Sequence, residues 1–97
     1  MIVTFQDKAT QDIFDGVNSR EARSIPSQLW SVTARKLDMI NAAHSIQDLL
    51  VPPGNRLKKL VGDYKGFYSI RINDQYRIIF RWSNDNAEAV KVIDYHG

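Results

Sequence analysis

The triplet Pro52-Pro53-Gly54 constrains this chain more than any other feature, because neither a helix nor a regular strand runs through it. Proline donates no backbone hydrogen bond and fixes φ, and the following glycine loosens the chain. The hydrophobic period differs on its two sides. Before it, apolar residues recur three and four apart; after it, they alternate. Helices first and strands later predict an α+β fold, a small antiparallel β-sheet with the N-terminal helices packed on one face. At 97 residues the chain suits a single domain spanning 1–97.

Residues 1–5 are β-branched and aromatic and read as a first strand. Asp7 suits the cap of a helix carrying Ile13, Phe14 and Val17 on one side, with Gly16 as its stop. Residues 17–24 read as a loop. A longer helix starts near Pro26 or Ser27, carries Trp30, Ala34, Leu37 and Ile40 as one stripe, and fades at 42–44. The run Ser45-Ile46-Gln47-Asp48 suits one further capped turn. Beyond the prolines, 56–60 is a candidate strand and 62–66 a turn region. Residues 67–72 and 75–82 are the strongest strands, followed by a turn at 83–86 and a last strand at 87–95.

Asn73-Asp74, lying between two β-rich runs, reads as a two-residue hairpin loop. Such a loop sets Ile70 opposite Arg77 and Arg71 opposite Tyr76, and opposed residues share a face. One face then carries Phe67, Ser69, Arg71, Tyr76, Ile78, Phe80 and Trp82 beneath the helices. The other carries Tyr68, Ile70, Ile72, Arg77, Ile79 and Arg81, an apolar floor with two arginines. Arg71 fits badly here. On a covered face it needs an acid or carbonyl partner, or the loop is longer than two residues.

Charge follows the same division. Residues 1–50 hold five basic residues against six acids, and residues 51–97 hold eight against five. The stretch 56–81 is sharper, with Arg56, Lys58, Lys59, Lys65, Arg71, Arg77 and Arg81 against only Asp63 and Asp74. Seven of the ten aromatics also lie after residue 50. Cations that neutralise phosphates, mixed with rings that stack on unpaired bases, suit single-stranded nucleic acid. The same composition also describes a sheet with a buried aromatic face and solvated lysines.

Many chemistries are closed. The chain has no cysteine and only two histidines, His44 and His96, which removes disulfides, thiolate zinc sites, iron–sulfur clusters and cysteine nucleophiles. No Gly-rich phosphate loop and no Gly-x-Ser-x-Gly elbow is present. The expectation is a protein with no metal and no cofactor. No apolar run approaches the ~18–20 residues of a membrane span, and the first residues lack signal-peptide character, so a cytoplasmic protein with no membrane partner is expected. The closing Asp94-Tyr95-His96 places three titratable groups in three consecutive positions. A histidine near its ordinary pKa, oriented by a carboxylate, suits acid–base work at neutral pH. With Arg77 to stabilise a pentacoordinate phosphorane, the set fits RNA cleavage by the ribose 2′-OH, which needs a base, an acid and a cation. The plainer alternative is that Asp-Tyr-His ends an edge strand.

The runs Pro52-Pro53-Gly54-Asn55-Arg56-Leu57, Leu60-Val61-Gly62-Asp63, Tyr68-Ser69-Ile70-Arg71-Ile72-Asn73-Asp74-Gln75-Tyr76-Arg77-Ile78 and Val92-Ile93-Asp94-Tyr95-His96 resemble the HigB toxins of the RelE/ParE superfamily, also called plasmid maintenance system killer proteins. Phe5-Gln6-Asp7-Lys8, Ile13-Phe14 and Ala34-Arg35-Lys36-Leu37 extend the resemblance through the N-terminal half. It implies a RelE-like fold and a ribonuclease that cuts mRNA in the ribosomal A site. It also implies neutralisation by a small helix-turn-helix antitoxin, HigA, with operator DNA reached only through that antitoxin. Carried over, Arg77 is the phosphate cation, and Asp94, Tyr95 and His96 are the acid–base and positioning group. Tyr76 supports Arg77 from the core face. Arg56, Lys58, Lys59, Tyr68 and Arg81 are the expected RNA contacts.

One departure bears on rate. Some HigB toxins carry a catalytic histidine where Lys58 stands, and lysine is the poorer base at neutral pH. The resemblance therefore leaves two alternatives beside the nuclease. One is a catalytically weak module acting by ribosome docking or as an antitoxin-bound co-repressor. The other is a gyrase poison, an activity found elsewhere in the superfamily.

Overall fold

Asp7 begins the first helix by accepting a hydrogen bond from the Thr10 amide at 2.9 Å, and Gly16 ends it in the left-handed region at φ 75°. In this computed structural model, which describes residues 1–95, that helix is α1, Lys8–Asp15. His96 lies outside the described residues, and so does its expected catalytic role. Ile13 is buried and Phe14 packs on Phe5, but Val17 falls beyond the cap and is exposed. Short 3-10 turns at Ala22–Ser24 and Ser27–Leu29 lead into α2, Trp30–Ala42. Leu37 and Ile40 of its stripe are fully buried. Ser45 and Asp48 form the expected capping box at the head of a 3-10 turn, Ile46–Leu50.

Four strands follow: β1 Lys58–Lys59, β2 Tyr68–Arg71, β3 Tyr76–Ser83 and β4 Asn86–Asp94. They form one antiparallel meander in chain order. The expected α+β architecture is present. Ile70, Ile72, Ile78, Phe80, Ala87, Val90 and Val92 meet the helices in the main core. The opposite face carries only a small apolar cluster, Leu60, Ile79 and Ile93, with Phe67 and Tyr95 against it. The first residues do not form a regular strand. They make isolated parallel bridges to β4 at Ile2–Ala87 and Phe5–Val90. No helix of the described residues is long and apolar enough to cross a membrane.

The β2–β3 hairpin corrects the two-residue loop. Arg71 pairs with Arg77, Ile70 with Ile78, Ser69 with Ile79 and Tyr68 with Phe80. The loop is therefore Asn73-Asp74-Gln75, closed by the bond from the Ile72 amide to the Tyr76 carbonyl at 3.0 Å. Asn73 sets this length, because its Oδ1 accepts from the amides of both Gln75 and Tyr76 at 2.9 and 2.7 Å. One extra loop residue inverts every side chain of β2 relative to β3. Tyr68, Ile70 and Ile72 turn to the core, while Ser69 and Arg71 join Arg77 on the helix-free face. The misfit of Arg71 disappears with this inversion. At Asn84-Asp85, by contrast, both residues take positive φ (53° and 61°) and make a true two-residue turn.

A bulge keeps β4 in the core. Ile79 pairs with Lys91 but Arg81 pairs with Glu88, so β4 holds one extra residue, with Ala89 at φ 54°. Ala87 and Val90 are both fully buried as a result.

Candidate active site and nucleic-acid interface

The β2–β3 hairpin, the turn Pro53–Asn55 and the end of β4 converge on the helix-free face. Arg56, Arg71, Asn73, Asp74, Arg77 and Tyr95 line a cleft of about 460 Å³ there. Arg77 is its best-anchored cation. Its Nε donates to the buried Ser69 Oγ at 2.8 Å, and its Nη2 donates to the Arg56 carbonyl at 2.7 Å. Arg56 offers that carbonyl because it caps the Pro53–Asn55 turn in the left-handed region, φ 47°. Burial pushes the Arg77 guanidinium below its ordinary value; Tyr95 opposes this, and the charges of Arg71 and Arg56 add to it. An arginine lowered in this way is still a cation at neutral pH.

A buried amide holds the turn that carries Arg56. Asn55 is fully buried, and its Nδ2 donates to the carbonyls of Leu49 and Val51 at 3.2 and 3.5 Å. Its Oδ1 accepts from Lys36 Nζ of α2 at 2.7 Å. Lys36 is itself buried, and this pushes its ammonium below the ordinary value, helped by the charges of Arg35, Arg71 and Arg77. The helical layer thus positions the Arg56 carbonyl, and through it Arg77.

Tyr95 closes the cleft. Its amide donates to the Gln75 carbonyl at 2.7 Å, which ties the end of β4 to the hairpin loop. Two cations lie over its ring, the Arg77 guanidinium carbon 5.9 Å and Lys58 Nζ 5.8 Å from the centroid. Arg71 forms an ion pair with Asp74 across the loop. Among the described residues no group of three or more His, Cys, Asp or Glu side chains is assembled that could hold a metal ion.

The structure therefore brings Arg77, Tyr95, Arg56 and Lys58 together, with Arg56 contributing its carbonyl as well as its charge. Arg81 shares this face but covers Phe67, with its guanidinium carbon 4.5 Å from the ring. Three expectations are corrected. Tyr68 is not on the open face: its ring stacks on Phe80, 6.3 Å away, within the main core. Lys59 pairs with Tyr68 and so stands on the same side as Tyr68, away from the cleft. Asp94 pairs with Tyr76, on the face opposite Arg77, and its Oδ2 accepts from Gln75 Nε2 at 3.0 Å. Sequence reasoning missed Ser69 and Arg71 as cleft residues. The one signal that pointed to them was the poor fit of Arg71 beneath the helices.

A small α+β domain with a basic cleft on the helix-free face of its antiparallel sheet has the architecture of the RelE-like toxins. Chains from a heterotetrameric YoeB–YefM toxin–antitoxin complex and from a second YoeB–YefM complex, both of Staphylococcus aureus, share this fold. Their TM-scores are 0.60 and 0.56 at 14% identity, over all of this chain and 99% of each of those. The family model described as the RelE-like toxin of type II toxin–antitoxin system HigB matches residues 3–96, and the chain belongs to this HigB-like toxin family. It is 42% identical over 82 residues to Toxin HigB-1 of Vibrio cholerae serotype O1, covering 84% of each chain. It is also 32% identical over 101 aligned positions to Endoribonuclease HigB of Proteus vulgaris, covering 99% of this chain and all of that one.

Proposed function

We propose that this toxin is an endoribonuclease that enters the ribosomal A site in the cytoplasm, cuts mRNA there and arrests translation. The observation that carries this reading is Arg77, held by Ser69 and the Arg56 carbonyl beside Tyr95 in a cleft of basic character. A guanidinium pinned in this way meets the developing charge of a phosphorane without first reorganising. The relative named as an endoribonuclease, aligned over nearly the whole chain, supports the same activity.

In the reaction, the ribose 2′-oxygen attacks the adjacent phosphorus and loses its proton to a base. The bond to the 5′-oxygen breaks, and an acid returns a proton to that leaving oxygen. The products are a 2′,3′-cyclic phosphate and a 5′-hydroxyl. Arg77 neutralises the non-bridging oxygens, and Lys58, also near the Tyr95 ring, adds charge. Tyr95 positions the phosphate or donates the proton, and His96 is the proposed base. Asp94 acts through Gln75, holding the hairpin loop against the end of β4. Mapping mRNA ends on translating ribosomes tests this reading. Codon-phased cuts that vanish in Arg77→Ala and His96→Ala are expected; growth arrest unchanged in both variants would refute it.

A HigA-type helix-turn-helix antitoxin is the proposed neutralising partner, with operator DNA reached through it. The toxin–antitoxin complexes among the structural relatives support a partner of this class. Co-purification with the product of an adjacent helix-turn-helix reading frame tests it.

The placement of Asp94 off the Arg77 face favours one second reading, a weak nuclease that acts mainly by binding the ribosome. Salt-sensitive ribosome binding without cleavage after long incubation would select it.

A further inference from the structure

The cleft holds two arginines in different states. Arg71 and Arg77 are register partners on adjacent strands and stand side by side on one face. Arg77 is bound by a buried hydroxyl and a backbone carbonyl. Arg71 instead donates to the carboxylate of Asp74, three residues on in the same hairpin, and that carboxylate is 99% exposed. Like charges directly opposite each other in a sheet repel, so two neighbouring arginines call for an anion. Asp74 supplies it here and is the only carboxylate lining the cleft among the described residues. An exposed ion pair of this kind is weak and exchangeable. A phosphodiester presents the same pair of anionic oxygens to the guanidinium fork and brings further charge with it.

We propose that Arg71 is a second phosphate position in this cleft, taking the RNA phosphodiester next to the one at Arg77, and that Asp74 occupies it until RNA displaces it. This rests on the RNA reading of the Arg77 cleft. It adds a hairpin-borne competitor: the loop that places Arg71 on the open face also carries the carboxylate that guards it. Asn73 shapes that loop by binding the Gln75 and Tyr76 amides, which fixes the backbone that carries Asp74.

The test measures anisotropy of a short labelled 2′-O-methyl RNA, which binds but lacks the attacking hydroxyl. Full-length wild type, Asp74→Ala, Arg71→Gln and the double variant are titrated over a salt series. Asp74→Ala should tighten binding about two- to fivefold, the range of an exposed ion pair. Its log–log salt slope should stay close to that of wild type, because both bind the same phosphates, a single phosphate on a single strand being worth about 0.7 of slope. Arg71→Gln should weaken binding and make the slope shallower by about 0.7. In that background Asp74→Ala should have no effect.

The proposal is overturned if Asp74→Ala gains equally in both backgrounds, which would make Asp74 a general repulsive charge. An unchanged affinity in Asp74→Ala, or no binding by any of the four proteins, overturns it as well. The two readings fail separately. The expected anisotropy pattern from a protein that leaves ribosomal mRNA intact keeps the subsite and removes the nuclease. Cleavage by a wild type whose affinity ignores Asp74→Ala does the reverse.

Discussion

Ser69 and Arg77 meet diagonally across the β2–β3 ladder, where the arginine Nε donates to the buried serine oxygen at 2.8 Å. The bond exists because the three-residue loop turns Ser69 to the open face. Ser69→Ala leaves Arg77 tied to the Arg56 carbonyl alone. Cleavage on ribosomes should fall about tenfold, the loss expected for one hydrogen bond to a charged group. The urea midpoint should move little. An unchanged rate would show that the serine does not position Arg77.

Arg77→Lys separates charge from shape. A lysine keeps the cation but cannot reach Ser69, the Arg56 carbonyl and a phosphate together with a planar fork. End mapping should show cleavage reduced about 100-fold, in the range for removal of a preorganised charge-stabilising donor. RNA anisotropy should show a much smaller loss of affinity.

Tyr95 combines a ring and a hydroxyl, and two substitutions divide them. Tyr95→Phe keeps the ring against the Leu60, Ile79 and Ile93 cluster and near Lys58 and Arg77. If the hydroxyl donates the proton, single-turnover cleavage by Tyr95→Phe should fall about 100-fold with stability preserved. Tyr95→Ala should lose activity and stability together. Equal stability losses in the two variants would contradict this division.

The Lys36–Asn55 bond predicts a pH dependence of stability. Burial, then the Arg35, Arg71 and Arg77 charges, hold the Lys36 ammonium below its ordinary 10.5. Between the folded and unfolded values the unfolded chain binds the extra proton, so stability rises with pH across that window. Urea denaturation from about pH 7 to about pH 10 should show wild type gaining on Lys36→Met as pH increases. A constant difference would rule out Lys36 as the source. Asn55→Ala at neutral pH should cost about 2–3 kcal/mol, because it strands a buried ammonium.

Much of this fold is legible along the chain because its signals are local. Asp7 caps α1 by reaching the Thr10 amide, and Ser45 and Asp48 close their box within four residues. Leu37 and Ile40 are buried because a helical stripe needs no knowledge of its partner. The alternation of β3 is legible in the same way: Ile78 and Phe80 face the helices, and Arg77, Ile79 and Arg81 face away. The family resemblance is legible as well, and the family match over residues 3–96 bears it out.

The cleft is less legible, since it depends on how strands are set beside one another. Asn-Asp occurs in both the β2–β3 and the β3–β4 connections. At 84–85 it is a two-residue turn with positive φ, and at 73–75 it opens a three-residue loop. The dipeptide alone does not distinguish them. The difference lies in Asn73 binding the Gln75 and Tyr76 amides while Asp74 pairs with Arg71. One added loop residue then sends Tyr68 inward and brings Ser69 and Arg71 to Arg77. Local chemistry along the chain sets the order of elements, their caps and the basic character of the second half. Strand register sets which cations share a cleft, because side chains alternate with a period of two and a shift of one residue exchanges the faces.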